Sequence, residues 1–153
     1  MKGQTDADIR EWQEALRINS NDAALHNTLG VAHYDRGRLD AAIRECQEAL
    51  RVNYNDVEAH FNLARAFRAK GEVNGAITEY QEALRINPNM EQSLMINPRL
   101  IEAYYDLGAA YDAKGTFRKA IASYQGFVLY VPAEYASHVD EVVERIRELK
   151  ARL

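Results

Sequence analysis

The sequence predicts an all-α solenoid of stacked antiparallel helix hairpins. Three observations carry this: a 34-residue period, a glycine at one fixed place in each period, and apolar residues at helical spacing. Trp12 aligns with Cys46 and Tyr80, Ala15 with Ala49 and Ala83, His26 with His60, Gly37 with Gly71, and Ala42 with Ala76, each step being 34 residues. The register then slips by ten. Gly71 to Gly115, Ala76 to Ala120, Tyr80 to Tyr124 and Pro88 to Pro132 are each 44 apart, which places a single insertion after Pro88.

From the N-terminus, Ile9 to Ile18 matches only the second helix of a hairpin, leaving Trp12 and Leu16 without the helix that would cover them. In the unit beginning near residue 57, Val57 to Ala69 carries Ala59, Leu63, Ala66 and Phe67 at helical spacing behind Asp56, whose carboxylate suits the free N–H groups of a first turn. Gly71 supplies the left-handed stop. Val73 to Ile86 follows with Ala76, Ile77, Tyr80, Ala83 and Leu84 on one stripe, and Pro88 prevents its continuation. The inserted segment echoes what precedes it: Leu84, Ile86, Asn87 and Pro88 recur as Leu94, Ile96, Asn97 and Pro98. A short tandem duplication explains the slip, and the segment is expected to bulge or hinge between the second and third hairpins. After Pro132, residues Val139, Val142, Val143, Ile146, Leu149 and Leu153 share one face and predict a capping helix. The expected organisation is a single domain: a half repeat at 5–21, repeats at 22–56, 57–90 and 101–134, an insertion at 91–100, and a capping helix at 135–153.

Hydrophobic residues at 47% and charged residues at 27% of a 153-residue chain fit one folded domain and exclude disorder. A net charge of -4 gives no basic field for a phosphate backbone, so nucleic acid is not the expected partner. One cysteine, Cys46, excludes an internal disulfide and a Cys-rich metal site. No segment has the length and apolarity of a secretory signal or a membrane span, and a cytoplasmic location is expected.

The quoted positions resemble the tetratricopeptide family, whose unit has a Leu-Gly pair, an aromatic, a turn glycine, small residues and a closing proline. They stand here as Leu29, Gly30, Tyr34, Gly37, Ala42 and Ala49; then as Leu63, Ala64, Phe67, Gly71, Ala76, Tyr80, Ala83 and Pro88; then as Leu107, Gly108, Tyr111, Gly115, Ala120, Tyr124 and Pro132. Tyr54 replaces one closing proline. Phe127 replaces a small residue and is expected to push the third hairpin or its neighbour apart. The resemblance implies a right-handed superhelix, and a partner-binding concave groove lined by the first helix of each hairpin. Carried over by position, the groove residues are Asn27, Val31 and Tyr34, then Phe61, Asn62, Arg65 and Arg68, then Tyr105, Asp106, Ala109 and Asp112. Phe61, Arg65 and Arg68 read as an aromatic anchor and two cations on one exposed face, suiting an acidic, partly apolar protein or peptide. The carboxylate clamp by which some relatives grip chaperone tails is nearly absent: only Asn62 matches, while Asn27, Val31, Glu102 and Asp106 stand where other clamp residues belong.

No nucleophile elbow, phosphate loop or metal-binding helix motif is present in the sequence, so no catalytic residue, cofactor or metal is expected. His26 and His60 are repeat-equivalent and read as structural. His33 and Cys46 are expected to approach each other within one hairpin, but as a pair fall short of a metal's ligand count. Protein binding in the groove is the function the resemblance implies. The alternative is a scaffold that forms homo-oligomers through the uncovered Trp12 and Leu16.

Overall fold

The computed structural model describes residues 6–86, 99–132 and 136–153. These hold α1 (Asp6–Ile18), α2 (Ala23–Asp35), α3 (Leu39–Val52), α4 (Val57–Lys70), α5 (Val73–Ile86), α6 (Arg99–Ala113), α7 (Phe117–Tyr130) and α8 (Ala136–Lys150). No strand occurs among the described residues. Most of the insertion, from 91 to 98, lies outside them, so its expected bulge or hinge is not addressed; its last two residues open α6.

The chain alternates helices and sharp reversals because the stop and start signals repeat. Gly37, Gly71 and Gly115 stand at φ 70°, 84° and 73°, in the left-handed region that a side chain resists. Asp22 and Asp56 cap the helices that follow, accepting from the Leu25 N–H at 2.9 Å and the Ala59 N–H at 3.1 Å. Each such cap is worth about 0.5–2 kcal/mol.

Helices α2 and α3, α4 and α5, and α6 and α7 form three antiparallel hairpins. Each stacks on the next through α3 against α4 and α5 against α6, α1 leans on α2, and α8 closes the stack on α7. Small residues set the approach within hairpins. A Cβ on Gly30 would lie 2.5 Å from the Cys46 Sγ, and one on Gly108 would lie 2.5 Å from the Tyr124 ring. The largest core runs through the second and third hairpins into α8, joining Phe61, Tyr80, Leu107, Tyr124 and Phe127 to Val142, Ile146 and Leu149.

Two expectations need correction here. Phe127 does not push the third hairpin apart: it is buried, and α6 and α7 pack as extensively as α4 and α5. Its ring packs across the hairpin against Tyr105 of α6, centroids 5.5 Å apart, so the larger side chain is accommodated in the contact. Nor are Trp12 and Leu16 left uncovered. Leu16 is buried in a cluster with Ile9, Leu29 and Ala32, and the half-buried Trp12 packs against it, because α2 stacks on α1 as α4 stacks on α3.

Candidate partner-binding groove

The first helices of successive hairpins, α2, α4 and α6, touch one another in order and form one surface. Side chains that recur along it at repeat-equivalent positions are tied across from helix to helix. Asn62 donates from Nδ2 to Asn27 Oδ1 at 3.0 Å, joining α4 to α2. The Asn62 Oδ1 is buried with no hydrogen-bond partner among the described residues. Beside this pair the Arg65 guanidinium lies over the Tyr34 ring, 4.6 Å from its centroid, and 5.8 Å from that of Phe61. Such stacking holds a cation without neutralising it.

Between α4 and α6 the chemistry changes. Arg68 donates to Asp106 Oδ1, and Tyr80 of α5 donates its O–H to Asp106 Oδ2 at 2.8 Å. Burial opposes the Arg68 charge, but Asp106 together with the nearby Tyr80 and Tyr34 hydroxyls outweighs it and the guanidinium pKa is raised. Burial, then Asp106, pushes the Tyr80 phenol up, so Tyr80 remains a donor. At the next turn Asp112 is claimed from α8: Arg145 donates from Nε to Oδ2 at 2.7 Å and from Nη2 to Oδ1 at 2.9 Å. Tyr105 stays 41% exposed with its ring tilted against Tyr124 and Phe127.

A cavity of about 560 Å³ opens where α4, α6, α7 and the start of α8 meet, lined by Arg65, Arg68, Glu102, Tyr105, Asp106, Phe127 and His138. Four of these, Arg65, Arg68, Tyr105 and Asp106, stand among the groove positions expected from the sequence and Glu102 among the clamp positions, whereas Phe127 and His138 were not expected there. Nothing in the sequence says that α8 folds back so that His138 reaches the second hairpin's groove face.

The expected exposed triad is corrected in two ways. Phe61 is 1% exposed, packed edge-on against Tyr80 with centroids 5.8 Å apart, so it supports the groove from beneath and cannot serve as a surface anchor. Arg68 is engaged by Asp106. Arg65 is the groove arginine that pairs with no carboxylate among the described residues.

His26 and His60 each tie two helices and a turn together. His60 Nδ1 lies 2.6 Å from Glu79 Oε2 and its Nε2 lies 2.8 Å from the Tyr54 carbonyl. One repeat earlier, His26 Nδ1 lies 2.7 Å from Glu45 Oε2 and its Nε2 lies 3.2 Å from the Ser20 carbonyl. A readable signal existed: both glutamates follow their histidines by 19 residues. His33 Nδ1 has no hydrogen-bond partner among the described residues, and burial lowers its pKa. Cys46 packs on Gly30, and burial pushes its thiol up to about 12. Among the described residues no group of three or more His, Cys, Asp or Glu side chains could hold a metal, and no helix is long and apolar enough to cross a membrane.

A stack of helix hairpins with a continuous surface made by alternate helices defines a repeat protein of the protein-interaction class. A family model described as tetratricopeptide repeat matches residues 2–51 and 27–91, and a second model of the same description matches 101–128. The chain belongs to the tetratricopeptide repeat family. A crystal structure of MamA is 25% identical and superposes with a TM-score of 0.74, covering 97% of this chain and 91% of that one. A crystal structure of MamA protein at 24% identity, TM-score 0.73, covers 94% of this chain and 80% of that one and shares its fold. Among curated proteins none matches the chain.

Proposed function

We propose that this chain is a non-enzymatic adaptor that holds a protein or peptide against the surface of α2, α4 and α6. The carrying observation is Arg65. Its guanidinium is positioned on Tyr34, lines the cavity, and has no internal carboxylate to satisfy it among the described residues. Tyr105 and Phe127 supply apolar wall on the other side of the same cavity. An acidic, partly apolar segment matches that combination, the carboxylate meeting Arg65 and an apolar side chain meeting the rings. The self-assembling scaffold has less support, since α2 already covers Leu16.

The test is calorimetry with a partner captured on the immobilised chain. Arg65→Glu should weaken binding at least ~10-fold, about 1.4 kcal/mol, with melting nearly unchanged. Equal affinity of parent and variant would remove the groove as the site. Mass that grows with concentration in light scattering, and falls on Trp12→Glu, would favour the scaffold instead.

A further inference from the structure

His60 sits 1% exposed at a junction of three elements. Its ring belongs to α4, the carboxylate on Nδ1 belongs to α5, and the carbonyl on Nε2 belongs to Tyr54, in the turn that brings the chain out of the first hairpin. Both ring nitrogens therefore face oxygen acceptors. A neutral imidazole carries one N–H only, and whichever tautomer it adopts, a nitrogen lone pair would point at an oxygen at 2.6 or 2.8 Å. The imidazolium satisfies both contacts at once. The Tyr54 ring stands edge-on to the imidazole, centroids 5.3 Å apart, and walls the site from the turn.

We propose that His60 is a proton-dependent brace: charged, it ties α4 to α5 and to the preceding turn, and on losing its proton it releases one of the two. The other charged groups bearing on the site agree with this. Glu79 and Glu82 reach it from α5, and Glu82 is shared with the Tyr54 O–H at 3.2 Å and Arg85 at 2.8 Å. The polar bonds that α4 makes with α2, α3 and α6 lie elsewhere along it, at Asn62 to Asn27, Lys70 to Asp40 and Arg68 to Asp106. Burial is the largest single influence and depresses the His60 pKa, but the Glu79 bond, the Tyr54 carbonyl and the nearby carboxylates together raise it above the ordinary 6.5. With the folded value above the unfolded one, the brace is complete below pH 6.5 and is lost as pH rises through the folded pKa.

The geometry recurs at His26, Glu45 and Ser20, so the arrangement is a property of the repeat and not a chance contact. The third hairpin lacks it, because Tyr104 and Ser123 occupy the equivalent positions. That hairpin is a control inside the same molecule. The inference stands independently of any partner in the groove.

Two measurements on the full chain test it: imidazole titration by NMR, and amide hydrogen exchange from pH 5.5 to 9, corrected for the intrinsic effect of pH on exchange. His60 should titrate above the ordinary range, and protection in α4 and α5 should fall at least ~10-fold through that titration relative to α6 and α7. Glu79→Gln should lower the His60 titration by about one unit or more. Titration of His60 at or below the ordinary value in the parent, or an equal loss of protection in all hairpins, would overturn the brace. The parent measurements decide the matter even where a variant fails to fold.

Discussion

Arg145 and Asp112 meet fork to fork, two guanidinium nitrogens on two carboxylate oxygens, and so join the capping helix to the first helix of the third hairpin. The Asp112 side chain is 14% exposed and that of Arg145 is 39% exposed, which leaves the pair open to salt on one side only. Apolar packing and charge thus share the docking of α8.

Their shares can be separated by substitution. Arg145→Ala should lower stability by about 1 kcal/mol, less at high salt, since half-exposed pairs are screened. Leu149→Ala, removing a fully buried side chain, should cost about 2–5 kcal/mol at any salt. Urea melts at two ionic strengths check both, and a larger salt-independent effect for Arg145 would reverse the assignment.

Within the groove the two arginines should behave differently. Arg68→Glu sets two carboxylates against each other at Asp106 and leaves Tyr80 with a crowded acceptor, so the melting temperature should fall clearly. Arg65→Glu, which breaks no ion pair among the described residues, should leave melting within about 0.5 kcal/mol of the parent. Thermal melts of the two single variants are sufficient. Equal losses would mean that Asp106 does not depend on Arg68.

The contrast between these arginines marks the limit of what repeat positions reveal. Period, Gly37, Gly71, Gly115 and Asp56 made the helices and their stops readable, because backbone signals act locally. Placement on α2, α4 or α6 was readable too, since it depends only on which helix carries a residue. Accessibility did not. Asn27, Phe61 and Tyr105 are equivalent positions, yet Asn27 is half-buried, Phe61 is sealed against Tyr80 and Tyr105 is exposed. Ion pairing was equally hidden: with 23 acidic and 19 basic residues, nothing in the order selects Arg145 for Asp112, 33 positions away.

Gly30 should tolerate alanine only if Cys46 gives way. Gly30→Ala alone places a methyl 2.5 Å from the buried Sγ and should cost about 1–3 kcal/mol. Combined with Cys46→Ala, the loss should be smaller than the sum of the two single losses, a coupling that a double-mutant cycle reads directly. Strict additivity would show that the two residues do not share that space.

Cys46 should also resist thiol chemistry while the protein is folded. Burial, followed by Glu45 and Asp56, pushes its pKa up to about 12, so the thiolate is scarce at pH 8. A chromogenic disulfide reagent should label it slowly in buffer and at once in denaturant. Rapid labelling of the native chain would mean that α2 and α3 open readily.

Asp106 already serves two donors, Arg68 and the Tyr80 hydroxyl. Any free anion that seeks Arg68 must therefore compete with a carboxylate already tethered beside it, whose effective concentration exceeds that of a dilute solute. Arg68 is thereby guarded against small anions, while Arg65 in the same cavity is not. A ligand that brings several contacts in one piece would compete for Arg68 better than a lone solute can.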